Sequence, residues 1–381
     1  MKNWLVNKQR ILFGLILFIL AAPFINNITG IVTVDALSGA IVIPEATSFN
    51  LSKWFSGDYQ LEEEKYVNET FGFRNFFIKI NNQIAFSLFR KPYVNGVIIG
   101  KKDYLYEENY LKAYYGTDFI GTDSINHRMN RLKFIHDTLN KLNKTMIIIF
   151  APGKGSFYPE YFPDDQLRKK SITNYEYHLE RSKQLGLNCI DFQRYFIENK
   201  NKSAYPLYPK FGIHWSNYGM CLVIDSVIHY IEKKRSIDMP EAYWHDIKLG
   251  DADKTDYDIG AGMNLLFKLP YNELAYPVIQ FEEDATKQKP SVLVISDSFF
   301  RGIHQMGIFN AFSNSHFWYY NKEIYQETDK LFLKTSQVDL KDEIAKHDIV
   351  MLMCTDANLP KLGWGFIENT YDMFHGDTLQ Q

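Results

Sequence analysis

The chain has 381 residues, 46% of them hydrophobic and 23% charged, the composition of an ordinary globular protein long enough to bury a sizeable core. Its formal charge of −3 gives no basic field that would neutralise phosphates, which excludes nucleic acid as a partner. Aromatic residues reach 16%, compatible with a carbohydrate partner because ring faces stack on sugars, although most rings in any protein serve the core.

The chain opens with a membrane address. Lys2, Lys8 and Arg10 precede the uncharged run Ile11 to Ile25, the pattern of a basic segment followed by a signal-type apolar stretch. The following "NNITGIVTV" extends it toward spanning length, and no A-x-A-like cleavage site follows. An uncleaved signal anchor over 1–34 is expected, with a cleaved signal peptide as the alternative. The positive charges before the run put Asp35 onward on the outer face, periplasmic or extracellular.

A linker and helical arm is expected over 35–100. Its apolar residues Phe73, Phe76, Phe77, Ile80 and Ile84 fall at helical spacing, which predicts a face packed on the main domain. From 101 to 381 short apolar runs alternate with amphipathic stretches. Strands are predicted at Met146 to Phe150, Asn188 to Asp191, Val292 to Ile295 and Ile349 to Met353. Helices are predicted at Ser124 to Leu142, Thr173 to Leu185 and Asn217 to Glu232. Near-continuous apolar strands spaced by helices imply an α/β domain with a mostly parallel sheet and helices on both faces. In such a sheet ligands bind beyond the carboxyl ends of the strands. Three strands run there into polar loops, "APGKGSFYPEYFP", "SDSFF" and "CTDAN".

Cys189, Cys221 and Cys354 lie far apart with no C-x-x-C spacing, which argues against a zinc site or a disulfide framework. No metal and no cofactor is expected. The chemistry therefore has to come from side chains. Ser298 follows a strand and precedes a helical segment, where neighbouring N–H groups are free to meet an oxyanion, but it needs a base. Among ten histidines, His214 stands in a loop just before a helix, whereas His229 falls inside that helix and reads as structural.

The "HWSNYG" loop, the later "SDSF", the earlier "APGKGSFYPEYFP" and the "SGDYQLEEEKYVNETFGFR" arm together resemble the SGNH-hydrolase-like domains of alginate O-acetyltransferases, from about Ser56 to the C-terminus. The resemblance implies a flavodoxin-like three-layer fold. It also implies an exported enzyme that passes acetyl groups to a polysaccharide hydroxyl through an acyl-serine, with a membrane-bound acyltransferase as partner. Ser298 then matches the nucleophile and His214 the base, and the Ser298 N–H is the first oxyanion donor. Asn358, Lys154, Trp215 and Asp297 are assigned to substrate binding or the oxyanion.

Two positions depart from the family's pattern. The aspartate of its D-x-H-W block falls on Gly212, so either another acid orients His214, with Asp258 and Asp191 as the candidates, or the site is a Ser-His dyad or catalytically impaired. Ser296 stands where glycine is usual. Esterase activity, or a non-catalytic scaffold in an acylation or export complex, are the alternative functions.

Overall fold

The computed structural model describes residues 2–39, 42–328 and 330–379, leaving aside the side chains of 2–7 and 377–379. Met1 and Gln381, the outer bounds of the expected domains, lie outside the described residues, as does the Lys2 side chain. The chain divides into two compact units, one of residues 1–95 with 260–269 and one of 96–259 with 270–381.

The first unit begins with a helix, Lys2–Thr29, whose segment Lys8–Thr29 is long and apolar enough to cross a membrane. This suits a signal anchor or a signal peptide. The helix stops before the expected extension does. Gly30 takes the left-handed conformation, and the Asn26 side chain both accepts from Val32 N (2.9 Å) and donates to Val32 O (3.1 Å), turning the chain out of the helix.

Three further helices follow, Leu51–Ser56, Asp58–Thr70 and Arg74–Phe89. Asn50 caps the first through Ser52 N, and left-handed Gly57 separates it from the second. The helical arm is therefore present, but not with the expected face inward. Phe76, Phe77 and Ile84 are exposed, Phe73 is the left-handed N-cap, and the buried side carries Asn82, Ala85 and Phe86. Asn82 is held there by donating to the carbonyl of Met263 (3.0 Å). Spacing alone finds an apolar stripe without saying whether a partner covers it.

In the second unit the strands in chain order are β1 (Val97–Ile99), β2 (Leu105–Glu107), β3 (Thr145–Ala151), β4 (Cys189–Asp191), β5 (Ala242–Gly250), β6 (Leu274–Phe281), β7 (Val292–Ser296), β8 (Ser315–Tyr319), β9 (Glu323–Tyr325), β10 (Leu331–Lys334) and β11 (Ile349–Thr355). β1 pairs with β2, and β5 with β6, as antiparallel ribbons. The other seven form one sheet in the order β10-β9-β8-β7-β11-β3-β4, parallel from β8 to β4 with the antiparallel β9 and β10 at one edge.

All four predicted strands lie in that parallel stretch. Their residues are buried on both faces in β3, β7 and β11, which is why they read as unbroken apolar runs. Met146, Ile148, Phe150, Leu293, Ile295, Val350 and Leu352 share a core with the helices Thr122–Lys141, Asn174–Gln184 and Phe366–Leu379. The alternating residues Ile147, Ile149, Val294 and Met351 are equally buried on the other face. Helices Phe192–Asn199 and Ser298–Gln305 pack there, with Asn217–Arg235 behind the latter. The fold is α/β, with a mostly parallel seven-stranded sheet and helices on both faces. The strands that sequence missed are half-exposed, like β5, or short and aromatic, like β8.

Candidate active site

β7 ends at Ser296, and Asp297 caps the helix Ser298–Gln305 by accepting from Phe299 N (3.1 Å), so Ser298 occupies the first helical position. Ser296, at the usual glycine position, has no left-handed backbone and is fully buried, so its side chain is accommodated in the strand.

His214 arrives from the loop before the helix Asn217–Arg235, whose N-cap Ser216 accepts from Gly219 N. Trp215 fixes this loop. Its indole is fully buried, 5.3 Å from the Phe299 ring and 5.8 Å from the Phe196 ring, so the base loop and the serine helix share one aromatic contact. The His214 ring itself lies 4.8 Å from that of Phe299, tilted by 47°.

These supports bring three predicted residues together. His214 Nε2 lies 2.9 Å from Ser298 Oγ, and His214 Nδ1 lies 2.7 Å from Asp258 Oδ2. Asp258 Oδ1 accepts from Ile213 N at 2.9 Å and from Ile259 N at 2.7 Å, which fixes the carboxylate in orientation. Burial alone would lower the His214 pKa. The hydrogen bond to Asp258 and its negative charge, with Asp297 and Glu107 beyond, outweigh that and leave it raised.

Gly212 explains why the acid comes from elsewhere. A Cβ there would sit 2.4 Å from the carbonyl oxygen of Thr255 and 2.7 Å from the carbonyl carbon of Asp256. The segment that delivers Asp258 passes directly over Gly212, so a side chain at 212 and a carboxylate from 258 exclude each other. Asp191, the other candidate, caps the helix Phe192–Asn199 and accepts from Tyr175 OH (2.8 Å), with no contact to His214.

The four residues expected at the substrate or the oxyanion do other work. Asp297 is fully buried and accepts from Thr355 N (3.0 Å), Thr355 Oγ1 (2.9 Å) and Asn358 Nδ2 (2.9 Å), which ties the end of β7 to the end of β11. The Asn358 amide is thereby spent on Asp297 and Thr355, not aimed at an oxyanion. Trp215 has no exposed surface to offer a sugar. Lys154 is fully buried, and its Nζ donates to the carbonyls of Lys210 and Gly212 at 2.7 Å each, so it steadies the histidine loop from the end of β3. Burial lowers its pKa to about 7.

Several residues escaped the sequence reading. Tyr320 sits in the β8–β9 turn, closed by Lys322 N on Tyr319 O (3.0 Å) with left-handed φ at Tyr320 (49°) and Asn321 (53°). That is the pattern of a type I′ turn, which favours Asn or Gly; a tyrosine in it costs on the order of 1–3 kcal/mol. The Tyr320 N–H donates to the Ser296 carbonyl at 2.8 Å, which sets the residue beside the end of β7, with Ser298 close enough to the phenol to influence its ionisation. Burial, then the Asp297 charge, raise its pKa to about 12 although the Ser298 hydrogen bonds pull the other way, so the phenol stays a proton donor. Asp356 accepts from Ser156 Oγ at 2.5 Å, joining the ends of β3 and β11, and burial raises its pKa to about 7. Glu107, raised first by burial and then by Asp258, stands within electrostatic range of His214.

Away from this rim, His316, Glu343 and His347 are buried with potential ligand atoms within 4.8 Å of one another. His316 Nδ1 meets Glu343 Oε2 at 2.6 Å, Lys346 Nζ meets Glu343 Oε1 at 2.9 Å, and His347 Nδ1 meets the Glu343 carbonyl at 2.6 Å. These contacts brace the amino ends of β8 and β11, while His347 Nε2 is buried without a hydrogen-bond partner. Cys189, Cys221 and Cys354 are free thiols.

No curated protein matches the chain in sequence. Among solved structures, the O-acetyltransferase domain of Pseudomonas putida AlgJ is similar at 14% identity and TM-score 0.46, over 74% of this chain and 100% of that one. Bacillus cereus PatB1 is similar at 13% and 0.43, over 69% and 96%. Pseudomonas aeruginosa AlgX is similar at 13% and 0.38, over 68% and 55%. A family model described as "SGNH hydrolase-like domain, acetyltransferase AlgX" matches residues 97–253, which include His214 but end before Asp258 and Ser298. Over residues 97–253, then, the chain is similar to the SGNH hydrolase-like domain that this family model describes.

Proposed function

We propose that the protein is an exported, membrane-anchored O-acetyltransferase that acetylates a polysaccharide hydroxyl through an acyl-Ser298 intermediate. The observation that carries this reading is the unbroken hydrogen-bonded line Ser298–His214–Asp258. Its members come from three separate segments, and a hydroxyl in that line is a nucleophile with its base already in reach.

In the first half-reaction Ser298 Oγ adds to the donor's acetyl carbonyl while His214 Nε2 takes the hydroxyl proton. Asp258 keeps the other imidazole proton on Nδ1 and stabilises the cation that forms. The oxyanion lies between the Ser298 N–H and the Tyr320 hydroxyl. Collapse breaks the bond to the donor's leaving group, which takes the proton from His214. In the second half, His214 removes a proton from a sugar hydroxyl, whose oxygen attacks the acyl-serine; Ser298 leaves and regains its proton. A membrane-bound acyltransferase is the donor's source.

Ser298→Ala tests the reading. In the native host it should abolish acetate on the surface polysaccharide, and the purified protein should no longer form a covalent adduct with an activated acetyl ester. Retained acetylation would leave only a scaffold role. Adding oligosaccharide to the wild-type reaction separates transfer from hydrolysis.

A further inference from the structure

We infer that the open groove beside Tyr320, walled by residues 360–365, is the acceptor subsite, in which the indole of Trp364 serves as the platform for a pyranose ring. This rests on the acyl-transfer reading, and it assigns the second substrate a place of its own.

The groove is lined by Tyr320, Asn321, Trp364, Gly365, Lys361 and Arg128, among others. One wall is Tyr320, whose N–H donates to the Ser296 carbonyl at 2.8 Å, so the groove lies beside the carboxyl end of β7, two residues from the nucleophile. The Trp364 ring stands 5.1 Å from that of Tyr320 and nearly perpendicular to it, at 88°. An aromatic face set at a right angle beside a reactive centre suits a flat, partly apolar sugar ring better than a flexible chain.

The backbone around this indole is costly. Gly363, Trp364 and Gly365 all have left-handed φ, at 79°, 46° and 90°, and Tyr320 and Asn321 opposite them are left-handed too. Tryptophan rarely adopts that conformation, and such strain persists only where surrounding contacts enforce it. Here they do. Asn321 Nδ2 donates to the Trp364 carbonyl (3.0 Å), Trp364 N to the Lys361 carbonyl (2.8 Å), and the Arg128 guanidinium to the carbonyls of Leu359 (3.1 Å) and Pro360 (3.0 Å). The turn that presents Tyr320 to Ser298 and the loop that presents Trp364 to the groove are thus locked to one another. The indole is half-buried, fixed in place and open on the groove side, which lowers the ordering cost of binding a sugar.

The test separates the two half-reactions in full-length protein. Acyl-enzyme formation from p-nitrophenyl acetate is followed by nitrophenolate release and intact mass, and transfer by acetate on a neutral and on a uronate oligosaccharide, varied in concentration. Trp364→Ala should acylate at the wild-type rate, while kcat/KM for the oligosaccharide falls about tenfold or more, mainly through KM. Trp364→Tyr, which keeps a ring, should recover most of the loss. Equal oligosaccharide kinetics in wild type and Trp364→Ala overturn the subsite, as does a variant impaired in acylation to the same extent as in transfer. Absence of acylation in the wild type would instead sink the acyl-serine reading itself.

Discussion

Replacing Asp258 by asparagine removes a charge while keeping the shape, and the outcome turns on the hydrogen bonds that the carboxylate makes. Oδ1 accepts from Ile213 N and Oδ2 from His214 Nδ1. An amide has one oxygen. If that oxygen stays on Ile213, its NH2 faces Nδ1 and holds the imidazole in the tautomer with the proton on Nε2, pointing at Ser298, so no base remains. If the amide turns over, the Ile213 N–H loses its acceptor, at a cost of about 1–3 kcal/mol, so the first arrangement wins. The expected loss is about 10⁴-fold in the acylation rate, or roughly 5.4 kcal/mol.

A second signature accompanies the rate. His214 works as a base only when neutral, and the Asp258 contributions hold its pKa above the ordinary value against burial. Without them burial is opposed only by the charges of Asp297 and Glu107 and the pKa falls, so the acid limb of the pH–rate profile moves to lower pH even as the plateau drops. Nitrophenolate release from an acetyl ester, measured by stopped flow from pH 4 to 9, reads both. Activity within tenfold of wild type, or an acid limb that stays or moves upward, would refute the assignment of Asp258.

The same geometry sets three other expectations. Tyr320→Phe removes one oxyanion donor and should slow acylation about 10²-fold or more with little change in folding; a wild-type rate in that variant would leave the phenol without a catalytic part. Gly212→Asp puts a carboxylate at a position where a Cβ meets Thr255 O at 2.4 Å, so it should displace the 255–258 segment, destabilise the fold by about 1–3 kcal/mol and abolish activity. An active Gly212→Asp enzyme would show that the position is free. Burial raises the Asp356 pKa to about 7. The folded state therefore keeps a proton that the unfolded chain releases near pH 4, and stability falls as pH rises from about 4 to about 7. Urea midpoints across that range should decline less steeply in Asp356→Asn, and parallel curves would contradict the buried acid.

The centre of the fold was legible because β3, β7 and β11 are covered on both faces, which forces continuous apolar runs that no loop imitates. Ser298 and His214 were named from position, one after such a run and one before a helix, and the structure puts them within hydrogen-bond distance. Asp258 could be named only as one of two acids, since what selects it is the crossing of its segment over Gly212, a contact between residues far apart in the chain. Lys154, Trp215, Asp297 and Asn358 were named at the rim without the contacts that hold them, because sequence tells that a polar or aromatic residue is near a rim and not whether it faces outward. Tyr320 left no signal at all: it lies outside every element the sequence predicts, and only the left-handed turn after β8 sets it beside the end of β7.

The acid's arrival over Gly212 also bears on how relatives of this chain are sorted. A search that demands a carboxylate two residues ahead of the histidine would file it among the dead members, yet chemistry specifies where a charge stands in space and is indifferent to its address along the polymer. Membership of the working set is better judged by whether any backbone can ferry an acid to that spot, with an obligatory glycine beneath as the footprint of the detour.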